Sequence, residues 1–130
     1  MPGMSRRNDP LADISADRPL FITGTDTGVG KTLFAAGFVL AWDTPGVRAV
    51  PLKPAACGGR IGRPGDWPVQ EDVYALGAAA RGEFSAAEIN PLFLDEPRAP
   101  AVAARMAGIV ADPGGTQRRI REILDAGDLP

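Results

Sequence analysis

A chain of 130 residues with 45% hydrophobic residues and a net charge of -2 is sized for one small domain with a modest core, and it lacks the basic excess that nucleic-acid binding requires. A single cysteine excludes an internal disulfide framework, and no apolar run is long enough to cross a membrane. With no signal-like start, the expected compartment is the cytoplasm, and neither nucleic acid nor membrane is expected as a partner.

Residues 1–18 mix Pro, Asp, Arg, Asn and Ser with little apolar periodicity and read as a disordered leader, within which Met4 is an alternative start. The domain proper is expected over 19–130. It opens on Phe21-Ile22-Thr23-Gly24-Thr25-Asp26-Thr27-Gly28-Val29-Gly30-Lys31-Thr32, around which the rest is organised. Leu20, Phe21 and Ile22 read as a buried strand, the glycines as a turn, and Lys31 onward as a helix. That order suits a phosphate-binding loop. Glycines let the backbone turn its N–H groups inward, the helix N-terminus adds partial positive charge, and Lys31 can reach the β and γ phosphates of a nucleoside triphosphate. Thr32 then places its hydroxyl on the accompanying Mg²⁺. Gly28, Val29, Gly30, Lys31 and Thr32 are the expected nucleotide-binding residues. Gly24 and Gly30 enclose one residue more than the usual loop, and Asp26 stands where a partitioning-type ATPase carries a second lysine.

Lys31 to Trp42 is apolar almost all round, through Leu33, Phe34, Phe38, Val39, Leu40 and Trp42, which predicts a helix buried against a sheet. Thr44-Pro45-Gly46 ends it. Val47 to Leu52 reads as a second strand running into Lys53-Pro54, and strand, helix and strand in this order predict a right-handed crossover between parallel strands. Ligands of such sheets bind beyond the carboxyl ends of the strands, so Lys53 is expected on the same rim as the phosphate loop. The chain has only two lysines, Lys31 and Lys53, against twelve arginines, so both positions call for a compact ammonium rather than a planar fork.

Arg60 to Pro68 is a Gly- and Pro-punctuated surface loop that either covers the site or is simply solvated. Val69 to Ala80 reads as a helix whose Glu71 and Asp72 complement the dipole of its first turn. In Ile89 to Pro97 a strand precedes a turn, with Leu92 and Leu94 on one side and Phe93 on the other. Thr116 to Ala126 reads as an amphipathic helix with Ile120, Ile123 and Leu124 inward and Arg118, Arg119 and Arg121 solvated.

From about Leu20 onward these stretches resemble the N-terminal portion of the dethiobiotin synthetases. The string FITGTDTGVGKT looks like that family's loop, with the same extra residue and Thr-Asp-Thr core. Lys53-Pro54-Ala55-Ala56-Cys57-Gly58 is similar to its Lys-Pro-Val-Ala-Ser-Gly turn, and Glu71-Asp72-Val73-Tyr74-Ala75-Leu76 resembles its Asp-Ala-Leu pattern. Ala99-Pro100 fits a small-residue-proline step, although Ala101 stands where the family usually has a histidine. The resemblance implies an α/β fold, a P-loop NTPase-like parallel sheet with flanking helices, cut short before the sheet is complete. In family members a strand ending in a metal-binding glutamate follows at about Asp128-Leu129-Pro130, so the chain alone is expected to have little or no activity.

What the resemblance implies chemically is an ATP-dependent cyclo-ligase of biotin biosynthesis. It takes ATP as substrate and Mg²⁺ as cofactor. 7,8-Diaminononanoate captures CO₂ as a carbamate, ATP phosphorylates it, and the second amine closes the ring of dethiobiotin. Lys31 and Lys53 are the implied catalytic residues. Thr32, Thr27 and Asp72 are the implied metal ligands, and Thr27, Lys53 and Cys57 the implied substrate contacts, in a protein that is a homodimer at full length. Cys57 replaces a serine, and a small half-buried residue in a tight turn fits it better than a catalytic thiol, since no histidine exists to activate it. Three alternatives remain: a related cobyrinate-type amide synthetase, a truncated and catalytically silent chain that binds nucleotide or associates with a partner, and a folded fragment with no ligand.

Overall fold

The computed structural model describes residues 19–42, 49–59, 70–110 and 112–127. The expected leader, the Thr44-Pro45-Gly46 stop, the Arg60–Pro68 loop and the last three residues lie outside the described residues. Seven elements follow one another: α1 (Lys31–Trp42), β1 (Ala55–Cys57), α2 (Glu71–Ala79), α3 (Ala86–Ile89), β2 (Leu92–Leu94), α4 (Pro100–Met106) and α5 (Pro113–Gly127). β1 and β2 pair in parallel, with Ala55 opposite Leu92, Ala56 opposite Phe93 and Cys57 opposite Leu94.

Alternation along the two strands divides the core into two faces. Ala56 packs with Val73 and Leu76 of α2 and with Ile89, and Phe93 lies against them. On the other face Leu94 packs with Ala103 and Ala104 of α4, with Cys57 and Leu92 alongside. The expected split of Leu92 and Leu94 from Phe93 is therefore observed. A third cluster, Val39 with Ala79 and Ala80, joins α1 to α2. The parallel arrangement expected of the chain is present, but its two strands are joined through α2 and α3 rather than through α1.

Several expectations are corrected. Residues 20–22 form no strand; Phe21 is 87% exposed, and among the described residues no backbone hydrogen bond ties this segment to β1 or β2. The strand expected to end at Leu52 is displaced to 55–57, because Pro51 and Pro54 have no N–H to contribute and the ladder can begin only after them. Half of the Lys53–Gly58 stretch, Ala55–Cys57, is accordingly strand, and the chain turns after it at Gly58, whose φ of +67° is left-handed. Helix α1 has the expected limits, yet Val39 is its only buried residue. It packs on α2 and leaves Leu33, Phe34 and Leu40 exposed rather than lying against a sheet. Its aromatic side chains cover one another instead: Phe34, Phe38 and Trp42 stack at one-turn intervals, the last two with centroids 4.9 Å apart.

α3 was not among the expected elements, although Ser85-x-x-Glu88 is the spacing of a capping box. The Ser85 hydroxyl accepts from the Glu88 N–H at 3.3 Å, and the Glu88 carboxylate accepts from the Ser85 N–H at 2.7 Å. α5 begins at Pro113, three residues earlier than expected, as proline at a first helical position allows. Its Ile123 is buried and Arg118, Arg119 and Arg121 are exposed, as its pattern predicts.

Candidate active site

The loop between Ile22 and Lys31 is built on glycines that no other residue replaces without strain. Gly28 and Gly30 have φ of +73° and +90°. A Cβ on Gly24 would sit 2.8 Å from Val29 Cγ2 and 3.2 Å from the Lys31 side chain, so the loop closes back on its own start. Within it the Asp26 carboxylate accepts from the Thr27 N–H at 2.7 Å and weakly from the Thr27 hydroxyl at 3.4 Å. The Lys31 ammonium donates to the Asp26 carbonyl, which curls the side chain over the loop. Phe34 N–H to Gly30 carbonyl, 2.9 Å, starts α1 immediately afterwards, so Lys31 and Thr32 occupy its first turn.

Three segments meet beyond this loop. The Lys53 ammonium donates to Asp72 Oδ2 at 2.5 Å, with the two side chains 27% and 36% exposed. The Thr32 hydroxyl donates to the same carboxylate, and the charge of Lys31 also reaches it. Burial pushes the Asp72 carboxyl up, but the hydrogen bonds from Lys53 and Thr32 and the charges of Lys53 and Lys31 outweigh burial and hold it below its ordinary value. Asp72 is thus ionised at neutral pH and faces two cations and a hydroxyl. Its place in the first turn of α2 complements the helix dipole as well.

Lys53 is held at its backbone from the end of α3, the segment that leads into β2. Its N–H donates to the Ile89 carbonyl at 2.7 Å, and its carbonyl accepts from Asn90 Nδ2 at 2.8 Å. Gln70, which precedes α2, donates from Nε2 to the Cys57 carbonyl at 3.2 Å and so ties the end of β1 to the start of α2. Asn90 and Gln70 were not among the expected site residues. An asparagine just before an apolar strand, and a glutamine one residue ahead of a helix, were the only signals available.

Of the sequence-derived candidates, Thr32, Lys53 and Asp72 come together, while Lys31 is held on the Asp26 carbonyl and reaches Asp72 through its charge. Thr27 stays in the loop on Asp26. Cys57 lies within reach of the Lys53 charge, but its side chain packs toward the Leu94, Ala103 and Ala104 cluster, and burial pushes its thiol up against the lowering effect of Lys53. It is a protonated, half-buried thiol, unsuited to act as a nucleophile.

A hydroxyl and an ionised carboxylate are the hard oxygen donors that Mg²⁺ takes when it also binds substrate phosphates and water. Among the described residues no group of three or more His, Cys, Asp or Glu converges as an all-protein metal cage. Thr32 and Asp72 are two oxygen donors of the kind that a Mg²⁺ accompanying a nucleotide would take.

The chain is similar to known proteins over most of its length. A family profile described as an AAA domain matches residues 18–125. ATP-dependent dethiobiotin synthetase BioD of Ralstonia nicotianae is 43% identical over 89 residues, covering 68% of this chain and 38% of that protein. The proteins of the same name from Nitrosospira multiformis and Anaeromyxobacter sp. are 42% and 44% identical over 92 and 91 residues, 71% and 70% of this chain. In each case the match spans only 38% of the relative's length. Loop, fold and similarity together establish that the chain belongs to this AAA-domain family and resembles part of the ATP-dependent dethiobiotin synthetases.

Proposed function

We propose that the chain carries the nucleotide-binding and reacting-end part of an ATP-dependent dethiobiotin synthetase site. The observation that carries this reading is the meeting of Thr32, Lys53 and Asp72 from three separate segments beside a glycine-rich loop that holds Lys31. A carbamate is a poor electrophile until one of its oxygens becomes a phosphate leaving group. The catalyst therefore needs chiefly to position anions and neutralise charge, which two ammonium groups and a helix N-terminus do.

In the proposed sequence 7,8-diaminononanoate and CO₂ form a carbamate on one amine. The loop amides and Lys31 hold the phosphates of ATP in line with it. A carbamate oxygen attacks the γ-phosphorus and ADP leaves. The second amine then attacks the carbonyl carbon, expels phosphate and closes the cyclic urea. Lys53 holds the carbamate, a role that requires its ammonium to leave Asp72. Thr32 and Asp72, with Thr27 at the loop, would hold Mg²⁺, which would offset the charge of the nucleotide's phosphates. Cys57 borders the substrate through its backbone.

The test is formation of dethiobiotin from diaminononanoate, bicarbonate and Mg²⁺-ATP, with Lys31→Ala as control; turnover unaffected by that substitution would remove the loop from the mechanism. Because the match spans 38% of each relative, a second reading is a chain that binds Mg²⁺-ATP without turnover. Mg²⁺-ATP-dependent thermal stabilisation with no product supports that reading instead. Either reading takes the protein as cytoplasmic and its full-length form as a homodimer, which fractionation and light scattering test. Among the described residues no helix is long and apolar enough to cross a membrane.

A further inference from the structure

We propose that Asn90 is a positioning residue for Lys53. Asn90 is fully buried at the entrance to β2, 37 residues along the chain from Lys53. Its Nδ2 donates to two carbonyls at once, that of Lys53 at 2.8 Å and that of Leu92 at 2.9 Å, and its backbone N–H donates to Ala86 at 2.8 Å. With the Lys53 N–H bonded to Ile89, both backbone groups of Lys53 are anchored on the segment that leads into β2. The parallel ladder itself begins two residues later, at Ala55 and Leu92. The amide therefore adds a side-chain rung beside the single backbone bond, Lys53 N–H to Ile89, ahead of the ladder. It sets the point from which the Lys53 side chain reaches Asp72.

The orientation of the amide follows from its partners, since both are acceptors and only the nitrogen can face them. Among the described residues its buried Oδ1 has no hydrogen-bond partner, which is unfavourable for such a group. Filling the position for packing alone would call for an apolar residue without this orphan acceptor. What an asparagine adds is the two-pronged donation, and one of its two prongs holds the residue that carries the site's ammonium.

Because Lys31 and Lys53 are the only lysines, lysine-selective ¹⁵N labelling leaves two Nζ resonances, assigned with Lys53→Arg, and the test needs no ligand. The expected result for Asn90→Ala is that the Lys53 signal moves toward its position in Asp72→Asn while the Lys31 signal stays in place. Asn90→Ser, which keeps one donor, should move it less. A Lys53 signal unmoved in folded Asn90→Ala overturns the proposal. So does simultaneous collapse of both signals to unfolded positions in both variants, which would make Asn90 a support of the fold at large. A second arm rests on the proposed function: binding of diaminononanoate should weaken about tenfold or more in Asn90→Ala, as for a lost charge-assisted contact, with Mg²⁺-ATP affinity within about twofold. Absence of diaminononanoate binding by the unsubstituted protein would contradict the proposed function while the resonance result still decides the role of Asn90.

Discussion

Replacing Asp72 by asparagine removes the charge on which three segments converge while nearly preserving shape. The carboxylate accepts from the Lys53 ammonium at 2.5 Å and from the Thr32 hydroxyl. A buried charge-assisted pair of this kind contributes about 1.5–3 kcal/mol, whereas exposed pairs contribute at most about 1 kcal/mol. With 36% of the Asp72 side chain in solvent, screening places the pair near the lower range, and a loss of about 1 kcal/mol is expected at pH 7. In a domain of this size that lowers the Tm by about 4 °C. The pH dependence has a definite sign. Since the folded-state pKa of Asp72 lies below its ordinary value of 3.8, the stabilisation is complete above that pH and is lost as the pH falls below it, through the folded-state value. Urea unfolding of both proteins from pH 7 down to about pH 2 should show a gap that is constant in the neutral range and closes in acid. Equal stability at pH 7, or a gap that widens toward acid, would refute the assignment of Asp72 as the ionised centre of the cluster.

Other consequences follow from the same geometry. Gly58→Ala combines a left-handed φ of +67° with a new Cβ 2.6 Å from Pro97 Cβ and 2.8 Å from Pro97 Cα. The backbone term is about 1–2 kcal/mol and the forced shift of Pro97 about 1–3 kcal/mol, so a stability loss of about 2–5 kcal/mol is expected from urea unfolding; a loss below about 0.5 kcal/mol would show that the turn is not fixed by this contact. Gly30→Ala meets no neighbouring atom, and its cost should be confined to the backbone term, about 1–2 kcal/mol. Mg²⁺-ATP should shift the Lys53 Nζ resonance, because a cation on Asp72 displaces the ammonium that now sits there; an unchanged resonance at saturation would place the metal elsewhere.

The α/β class and the phosphate-type loop were legible, the strand positions less so. The loop, α1 and the first turn of α2 are local: glycines and a Gly-Lys-Thr announce themselves within a few residues, so Lys31 and Thr32 could be named from the string, whereas the acidic start of α2 alone reads as a dipole complement and Asp72 was named through the family resemblance. Lys53 followed from the scarcity of lysine and from its place at a strand end, although that strand lies on the other side of it. Strand positions were read less well because short apolar runs do not reveal their partners. Leu20-Phe21-Ile22 has the composition of a buried strand, yet a strand exists only where a neighbour supplies hydrogen bonds. In the same way the apolar circumference of α1 implied burial on every side, while the described residues cover only the side toward α2. The contribution of Asn90 was beyond reach, since its partner is 37 residues away and nothing in the local pattern marks the pairing.

The central claim is that the loop of Lys31 and the Thr32–Asp72–Lys53 cluster form one site for Mg²⁺-ATP. Calorimetric titration of the protein and of Lys31→Ala with Mg²⁺-ATP tests it most directly. The expected result is saturable binding that loses about tenfold or more in affinity on removal of the ammonium, as for a charge-assisted contact to phosphate. No saturable binding at millimolar Mg²⁺-ATP, or equal affinity in both proteins, would contradict it.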